Sequence, residues 1–330
     1  MQAHSVSERV LISVVVPVYN EQDMLDLFHA RLSAVFDGLD FGFEVVYVND
    51  GSTDSSLALM ETLKQVDPRV SIVSLSRNFG KEIAMSAGLD YARGMAVVII
   101  DADLQDPPEV IPELVRRWRE GYDVVYAKRT EREGETFFKK ATAHVFYRII
   151  KKMSDVRVPE DTGDFRLLSR RAVDALKQLR EQHRFMKGLF AWIGYSQIAV
   201  PYQRASRFSG HTKWSYWKLW NLAIEGITSF SISPLKIATY FGLTVAVFAF
   251  LLAVWIVIKT LLFGDVVRGY PTIMVTMLLL GGTQLVAIGI LGEYLGRVFN
   301  ETKRRPLYLV DLYSPAENVP KEMPIAPTSG

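Results

Sequence analysis

Residues 96–105 read Ala-Val-Val-Ile-Ile-Asp-Ala-Asp-Leu-Gln, an apolar run that ends in two acidic side chains separated by one residue. The run predicts a buried β-strand over Ala96–Ile100. Asp101 and Asp103 alternate at the carboxyl end of this strand, so their carboxylates point the same way, and Gln105 can join them as the chain turns. Oxygen ligands without a neighbouring His or Cys suit Mg²⁺ or Mn²⁺. We therefore predict a divalent-metal site at this strand end.

Four more apolar runs have the same character, and helical patterns separate them. The predicted strands are Leu11–Val16, Phe43–Val48, Val70–Leu75 and Asp123–Ala127. Apolar strands that alternate with helices predict an α/β fold with a mainly parallel sheet covered on both faces. In such sheets ligands bind beyond the carboxyl ends of the strands. Polar residues follow all five strands, so we predict one crevice at that edge of the sheet.

The second strand ends in the segment Asn49–Asp54 (NDGSTD). Ser52 or Thr53 can cap the following helix, and Asp54 suits its first turn. Capping does not explain Asp50, which could accept hydrogen bonds from a nucleobase. The sequence contains neither G-x-x-x-x-G-K-[ST] nor G-x-G-x-x-G, which argues against Walker-type ATPases and Rossmann dehydrogenases.

Composition excludes several kinds of site and partner. The chain of 330 residues has a net charge of +2, which gives no reason to expect nucleic acid as a partner. It has no cysteine, so disulfides and thiolate metal sites are excluded.

Two uncharged apolar runs near the C-terminus, Ile237–Ile258 and Thr272–Gly292, are each long enough to cross a bilayer core of about 30 Å as a helix. Lys and Arg are sparse between the runs and more frequent outside them. The connection holds Lys259 and Arg268, whereas the flanks hold Lys218, Lys236, Arg297, Lys303, Arg304 and Arg305. This asymmetry predicts two spans with the main domain and both termini in the cytoplasm.

These patterns divide the chain into four parts. We predict a cytoplasmic domain over 1–210, an amphipathic juxtamembrane segment over 211–234, two transmembrane helices over 235–299 and a cytoplasmic tail over 300–330. Further helical patterns cover Thr136–Lys152 and Trp214–Ser231. In the tail, Leu307–Leu312 can form a short strand that docks on the body or on a neighbouring subunit, and disorder is expected from Ser314 onward. Gly292 and Gly296 suit close helix packing within the hairpin or between subunits, and we expect a homo-oligomer.

Several short motifs together resemble one enzyme family. They are Pro17–Glu21 (PVYNE), Asn49–Ser52 (NDGS), Asp101–Gln105 (DADLQ), Gly163–Phe165 (GDF), Arg207–Lys213 (RFSGHTK) and Gly292–Arg297 (GEYLGR). As a set they resemble the inverting GT-A glycosyltransferases of family 2, over residues 10 to about 305. Within that family the chain is similar to the polyprenyl-phosphate sugar transferases. These include dolichol-phosphate mannose synthases and, closer because of the hairpin, bacterial undecaprenyl-phosphate glucosyltransferases. The resemblance implies that residues 1–210 form a GT-A catalytic domain.

The resemblance also implies a role for each matching residue. The nucleotide would be bound by Pro17, Tyr19, Glu21, Asp50 and Asp101. The divalent metal, Mg²⁺ or Mn²⁺, would be held on the diphosphate by Asp101, Asp103 and Gln105. Arg207 and Lys213 would reach the same diphosphate, and the lipid phosphate would be bound by Arg129 with Lys139 or Lys140. Basic residues near a membrane also attract anionic lipid without any such role, which stays an alternative for the last three.

Asp164 matches the carboxylate that is treated as the catalytic base in the resembling enzymes. An acceptor phosphate is already mostly a dianion at pH 7 and needs little deprotonation. We therefore expect Asp164 to orient the acceptor or to take a residual proton. The alternative is a structural role, as a cap or in a salt bridge to Arg166.

The implied activity is the inverting transfer of a single hexose from a nucleotide sugar to polyprenyl phosphate at the cytoplasmic membrane face. Glucose from UDP-glucose is favoured, then mannose from GDP-mannose, then an amino or N-acetylated sugar. A processive polysaccharide synthase is an alternative, but residues 182–185 (QHRF) lack the Q-x-x-R-W of such enzymes and two spans offer no channel. A non-catalytic membrane adaptor is another, against which the complete set of acidic and basic residues argues.

Overall fold

The computed structural model describes residues 11–130, 162–182, 184–203, 233–263 and 269–317. Some predictions lie outside these residues. They are the helix over Thr136–Lys152, the amphipathic segment Trp214–Ser231, and the site residues Lys139, Lys140, Arg207 and Lys213.

One eight-stranded sheet forms the centre of the protein. Its strands are β1 (Leu11–Val18), β2 (Gly42–Asn49), β3 (Val70–Leu75), β4 (Ala96–Ile99), β5 (Val124–Arg129), β6 (Thr162–Ser169), β7 (Gln197–Tyr202) and β8 (Val310–Ser314). They lie in the order β7-β5-β6-β4-β1-β2-β3-β8. The strands β4, β1, β2 and β3 are parallel neighbours, and β5 is parallel to β7. Strand β6 runs antiparallel between β4 and β5, and β8 runs antiparallel to β3. The predicted α/β fold with a mainly parallel sheet is confirmed.

Six helices cover the two faces of this sheet. They are α1 (Leu25–Asp37), α2 (Ser56–Val66), α3 (Lys81–Tyr91), α4 (Ile111–Arg119, after a 3₁₀ turn at Pro108–Val110), α5 (Arg170–Gln178) and α6 (Met186–Trp192). Apolar side chains of α1, α2 and α4 pack on one face, and those of α3, α5 and α6 pack on the other. Strand β1 shows why both faces are apolar: Val14 and Val16 belong to the first core, and Val15 belongs to the second.

Helix α3 lies unusually close to the sheet. A Cβ atom at Gly88 would lie 2.2 Å from Cγ1 of Val15 and 3.0 Å from Cγ2 of Val48, so a side chain at this position would push the helix away. This close packing fixes the first residue of α3, Lys81, above the carboxyl ends of the central strands.

Two long helices follow the domain, α7 (Ser233–Phe263) and α8 (Tyr270–Thr302). Among the described residues, one helical segment, Leu279–Thr302, is long and apolar enough to cross a membrane, with a mean hydropathy of 1.3 and none of it buried in the protein. Helix α7 contributes a shorter apolar segment, Ala238–Leu252. Two membrane spans were predicted. The described residues contain one candidate span, and the second span remains a proposal.

The tail after α8 returns to the eight-stranded sheet. Strand β8 begins at Val310 and pairs with β3, with Val73 opposite Tyr313. The expectation of disorder from Ser314 onward is wrong for the first residues, because Ala316 is buried and its N–H donates to Ser71 Oγ at 2.9 Å. The polar, Pro-containing composition of the tail predicted disorder, but composition does not show that a backbone can pair with an open sheet edge.

Candidate active site

A cleft of about 310 Å³ opens at the carboxyl ends of β1, β2 and β4. This strand-end cleft is lined by Pro17, Val18, Tyr19, Glu21, Asp50, Asn78, Gly80, Lys81, Ala84, Asp101, Ala102 and Asp103. The structure thus brings together six predicted site residues, Pro17, Tyr19, Glu21, Asp50, Asp101 and Asp103. Their meeting follows from topology, since the carboxyl ends of neighbouring parallel strands share one edge of the sheet.

The loops after β1 and β2 are joined by hydrogen bonds. Asn20, in the left-handed conformation with φ of 56°, donates its N–H to Ser52 Oγ at 3.1 Å and accepts from the Thr53 N–H at 2.8 Å. Ser52 and Thr53 therefore join the two loops, and the expected capping role falls to Asp54, which accepts from the Ser56 N–H at 3.0 Å. Tyr19 is left 47% exposed at the rim, where its ring can contact a bound planar group.

Asp50 holds the next loop in place. Its Oδ1 accepts from the Phe79 N–H at 2.7 Å, and its Oδ2 accepts from the Gly80 N–H at 2.9 Å. Burial raises the pKa of Asp50, against the lowering effect of these two hydrogen bonds. Asp50 thus shapes the cleft by fixing the start of α3, and its contact with a nucleobase remains a prediction.

The Asp101–Gln105 turn directs its two acidic side chains into the cleft but not Gln105. Leu104 is buried and has a φ of 56°, which turns the chain back so that the Gln105 N–H reaches Asp103 Oδ1 at 3.1 Å. The Gln105 side-chain amide also donates to Asp103 Oδ2 at 2.6 Å. In this arrangement Gln105 orients Asp103, and its predicted role as a third metal ligand is untested.

The donor set fits a divalent cation of the magnesium type. Within the described ranges, no group of three or more His, Cys, Asp or Glu side chains forms a metal-binding cluster. Mg²⁺ and similar ions commonly use only one or two protein carboxylates and take their remaining ligands from substrate phosphates and water. Asp101 and Asp103 supply two such carboxylates, so a cation bound here would be completed by a phosphate-bearing substrate.

Lys81 is a site residue that the sequence analysis missed. Its Nζ lies 2.7 Å from each carboxylate oxygen of Asp101 and 2.7 Å from Asp164 Oδ2. Burial alone would lower the pKa of Lys81, but the two carboxylates raise it, so the side chain is charged. Its position could have indicated this role, because Lys81 directly follows Gly80 at the start of a helix, close to a strand end that carries polar residues.

Asp164 lies on β6, and its side chain is 14% exposed. Burial would raise its pKa, but the positive charges of Lys81 and Lys187 lower it to about 2. Its second oxygen, Oδ1, is buried and has no hydrogen-bond partner among the described residues. The alternative of a salt bridge to Arg166 does not fit, because Arg166 donates to the backbone carbonyls of Gly163 and Asp164.

Arg129 ends β5 and is held beside Gly163 by its neighbours. Its Nε donates to Tyr202 Oη at 3.2 Å, and Tyr202 in turn donates to buried Asp106. A Cβ atom at Gly163 would lie 3.0 Å from an Arg129 guanidinium nitrogen, so the glycine leaves room for this side chain. The predicted contact of Arg129 with a lipid phosphate stays a prediction.

Comparison with known proteins gives matches to family models, to curated relatives and to solved structures. Residues 13–177 match the family described as Glycosyl transferase family 2, and residues 233–298 match the GtrB C-terminal hairpin. An uncharacterized glycosyltransferase of Synechocystis sp. is 53% identical over 94% of this chain and 98% of its own length. A bactoprenol glucosyl transferase of Shigella phage SfV is 48% identical over 91% of this chain and 97% of its own length. Among solved structures, glucosyl-3-phosphoglycerate synthase from Mycobacterium tuberculosis is 20% identical, with a TM-score of 0.45, over 66% of this chain and 78% of its own.

The first family match runs from within β1 to within α5 and therefore includes the carboxyl ends of β1, β2 and β4 that line the cleft. The full-length relatives extend the likeness through the two long helices. The resemblance inferred from the short motifs is confirmed: this chain is a glycosyltransferase and belongs to glycosyl transferase family 2.

Proposed function

We propose that this enzyme transfers one glucose from UDP-glucose to a polyprenyl phosphate at the cytoplasmic face of a membrane, with inversion at the sugar C1. The observation that carries the proposal is the 48% identity, over nearly the full length of both chains, to proteins named bactoprenol glucosyl transferase. The match to a GtrB C-terminal hairpin supports the membrane part.

The residues of the strand-end cleft suit this chemistry. Asp101 and Asp103 would hold Mg²⁺ or Mn²⁺ against the diphosphate of the donor, where the cation supplies charge neutralisation. An acceptor phosphate oxygen would form the new bond to C1 while the bond from C1 to the nucleoside diphosphate breaks on the opposite side. Pro17, Tyr19, Glu21 and Asp50 would bind the nucleoside.

Asp164 is suited to orienting the acceptor more than to taking a proton from it. A carboxylate with a pKa of about 2 is a weak base at neutral pH. A phosphate acceptor, being mostly a dianion, does not require a strong one. Arg129, with Lys139 or Lys140, would bind the acceptor phosphate, and Arg207 and Lys213 would neutralise the leaving diphosphate.

The membrane part would bring this cleft to its lipid substrate. We propose that α7 and α8 both cross the bilayer, with the segment Leu279–Thr302 as the clearer span. The excess of Lys and Arg outside the hairpin favours a cytoplasmic catalytic domain. Association into a homo-oligomer, through small residues such as Gly292 and Gly296, belongs to the same proposal.

The test is the transfer of labelled sugar to lipid by the full-length protein. With UDP-[¹⁴C]glucose, polyprenyl phosphate and Mg²⁺ or Mn²⁺, we expect label in an organic extract as a lipid with one sugar, and no label when EDTA is present. Label that appears only from GDP-mannose would replace glucose by mannose, and label in polymer would replace the proposal by a processive synthase. No transfer from any donor would contradict it.

Asp103→Ala is the matched loss-of-function variant. Removal of a cation ligand should lower turnover by about 100-fold or more. The thermal unfolding midpoint should stay close to that of the wild type, since the side-chain partner of Asp103 is Gln105, its own near neighbour in the turn. Asp40→Ala, at an exposed carboxylate outside the cleft, controls for loss of a charge. An Asp103→Ala variant with wild-type turnover would show that the metal assignment is wrong.

A further inference from the structure

Lys81 makes three contacts at the strand-end cleft. An ammonium group has three N–H donors. Lys81 Nζ donates to Asp101 Oδ2 and to Asp164 Oδ2, each at 2.7 Å, and it also lies 2.7 Å from Asp101 Oδ1 as an ion pair. These distances are those of charge-assisted hydrogen bonds. The contacts join three separate elements, the start of α3, the end of β4 and strand β6.

Lys81 differs from an ordinary surface lysine in where it lies and how it is held. Among the described residues that line the cleft, it carries the one positive charge, against the carboxylates of Glu21, Asp50, Asp101 and Asp103. Its main chain is fixed from both sides. Asp50 accepts from the Gly80 N–H directly before it, and Gly88 holds α3 against β1.

The position of Lys81 conflicts with full use of Asp101 by a divalent cation. Both oxygens of Asp101 already contact the ammonium group, and a cation bound to either oxygen would lie within a few ångströms of a like charge. Unit charges at such distances interact strongly at the effective dielectric constant of a partly buried site. Lys81 must therefore move from at least one Asp101 oxygen when a divalent cation binds there.

We propose that Lys81 is a positioning residue that joins Asp101, on the donor side, to Asp164, on the acceptor side, and competes with the divalent cation for Asp101. Its contact with Asp164 Oδ2 leaves Oδ1 available in the buried site. When Lys81 leaves Asp101, its remaining contact with Asp164 Oδ2 keeps Asp164 in position. The inference rests on the proposed metal-dependent transfer, but not on which sugar is transferred.

The test measures Mn²⁺ binding by electron paramagnetic resonance, with full-length protein in detergent and no nucleotide sugar. Lys81→Met removes the charge but keeps a long side chain, and Lys81→Gln is a second neutral variant in case the first does not fold. Both should bind Mn²⁺ about tenfold more tightly than the wild type, since a competing charge is gone. Lys303→Met, at an exposed residue at the end of α8, removes the same charge away from the cleft and should leave Mn²⁺ affinity unchanged.

Turnover gives a second measurement. At saturating Mn²⁺, Lys81→Met should lower kcat at least tenfold and change KM for the nucleotide sugar less than threefold, because Asp164 is no longer held. Tighter Mn²⁺ binding together with lower kcat is a combination that general damage to the fold does not produce. Unchanged or weaker Mn²⁺ binding in the folded Lys81 variants would overturn the inference, as would an unchanged kcat.

Asp103→Ala, titrated in parallel, separates this inference from the proposed function. If Asp103→Ala weakens Mn²⁺ binding but the Lys81 variants do not strengthen it, only the role of Lys81 is overturned. If Mn²⁺ binding is insensitive to Asp103→Ala, the metal site itself is overturned and the role of Lys81 with it.

Discussion

Gly51 determines how closely two loops of the strand-end cleft approach each other. It has a φ of 63°, and a Cβ atom there would lie 2.4 Å from the carbonyl carbon of Arg77. Both the left-handed conformation and the backbone contact exclude a side chain. The loop that it touches contains Asn78 and leads into Lys81, so a displacement at Gly51 would reach the cleft.

We expect Gly51→Ala to lower the free energy of unfolding by about 2 kcal/mol or more and to raise KM for the nucleotide sugar. Thermal unfolding and initial-rate kinetics measure the two effects. Gly38→Ala is the matched control, because Gly38 has a φ of −86° and its nearest contact for a Cβ atom is 3.7 Å away. Equal unfolding midpoints for the two variants would show that the conformation and close contact of Gly51 do not require a glycine.

The sequence predicted the acidic cleft residues because each lies within a few residues of the carboxyl end of an apolar strand. Lys81 was missed because its partner Asp164 is 83 positions away, and no local pattern shows that contact. The orientation of Gln105 was also hidden, since it depends on the left-handed conformation of Leu104, a residue type that rarely adopts it.

Among the helices and strands, the apolar runs predicted the positions of the first five strands well, and Val70–Leu75 has the predicted bounds. Strand β6 was not predicted, although its motif Gly163–Phe165 was recognised. It enters the sheet antiparallel between β4 and β5, in a position set by pairing with distant strands and not by its own composition. The position matters for function because it carries Asp164 to the cleft.

A cluster of hydrogen bonds at the start of β5 joins this strand to its neighbours. Asp123 accepts hydrogen bonds from Arg171, at the start of α5, and from Ser169 and Ser196, each at 2.9 Å. These contacts, that of Arg171 first, lower the pKa of Asp123 to about 2 from an ordinary value of 3.8. The stabilisation is therefore fully present above about pH 4 and is lost as the pH falls toward 2.

Asp123→Asn should lower the free energy of unfolding at pH 7 by on the order of 1–2 kcal/mol, a figure reduced for the solvent exposure of Arg171. The difference between variant and wild type should shrink as the pH falls from 4 to 2. Unfolding midpoints at pH 7, 4 and 2.5 measure it, with Asp40→Asn as an exposed control. A difference that is constant with pH would show that the pKa of Asp123 is not shifted in the folded protein.

In the molecule as a whole, the tail fastens the long helix α8 to the catalytic domain. Near the end of α8, Glu301 accepts from the Gln182 N–H at 2.7 Å. The tail then crosses the domain, where Tyr308 Oη donates to Asp90 at 2.7 Å and β8 completes the sheet beside β3. The sequence predicted a short strand here but not its partner, since an edge strand can pair with its own sheet or with another chain.

Deletion of this tail should therefore destabilise the catalytic domain, although none of the tail residues that the structure describes lines the cleft. A chain truncated after Arg305 loses β8 and buried Leu307, and it exposes the edge of β3. We expect its unfolding midpoint in detergent to fall by roughly 5 °C or more, which corresponds to about 2 kcal/mol for a domain of this size. A chain truncated after Glu317 keeps every described contact of the tail and should unfold at the wild-type temperature. If both truncated chains unfold at the same temperature as the full-length protein, β8 does not stabilise the domain.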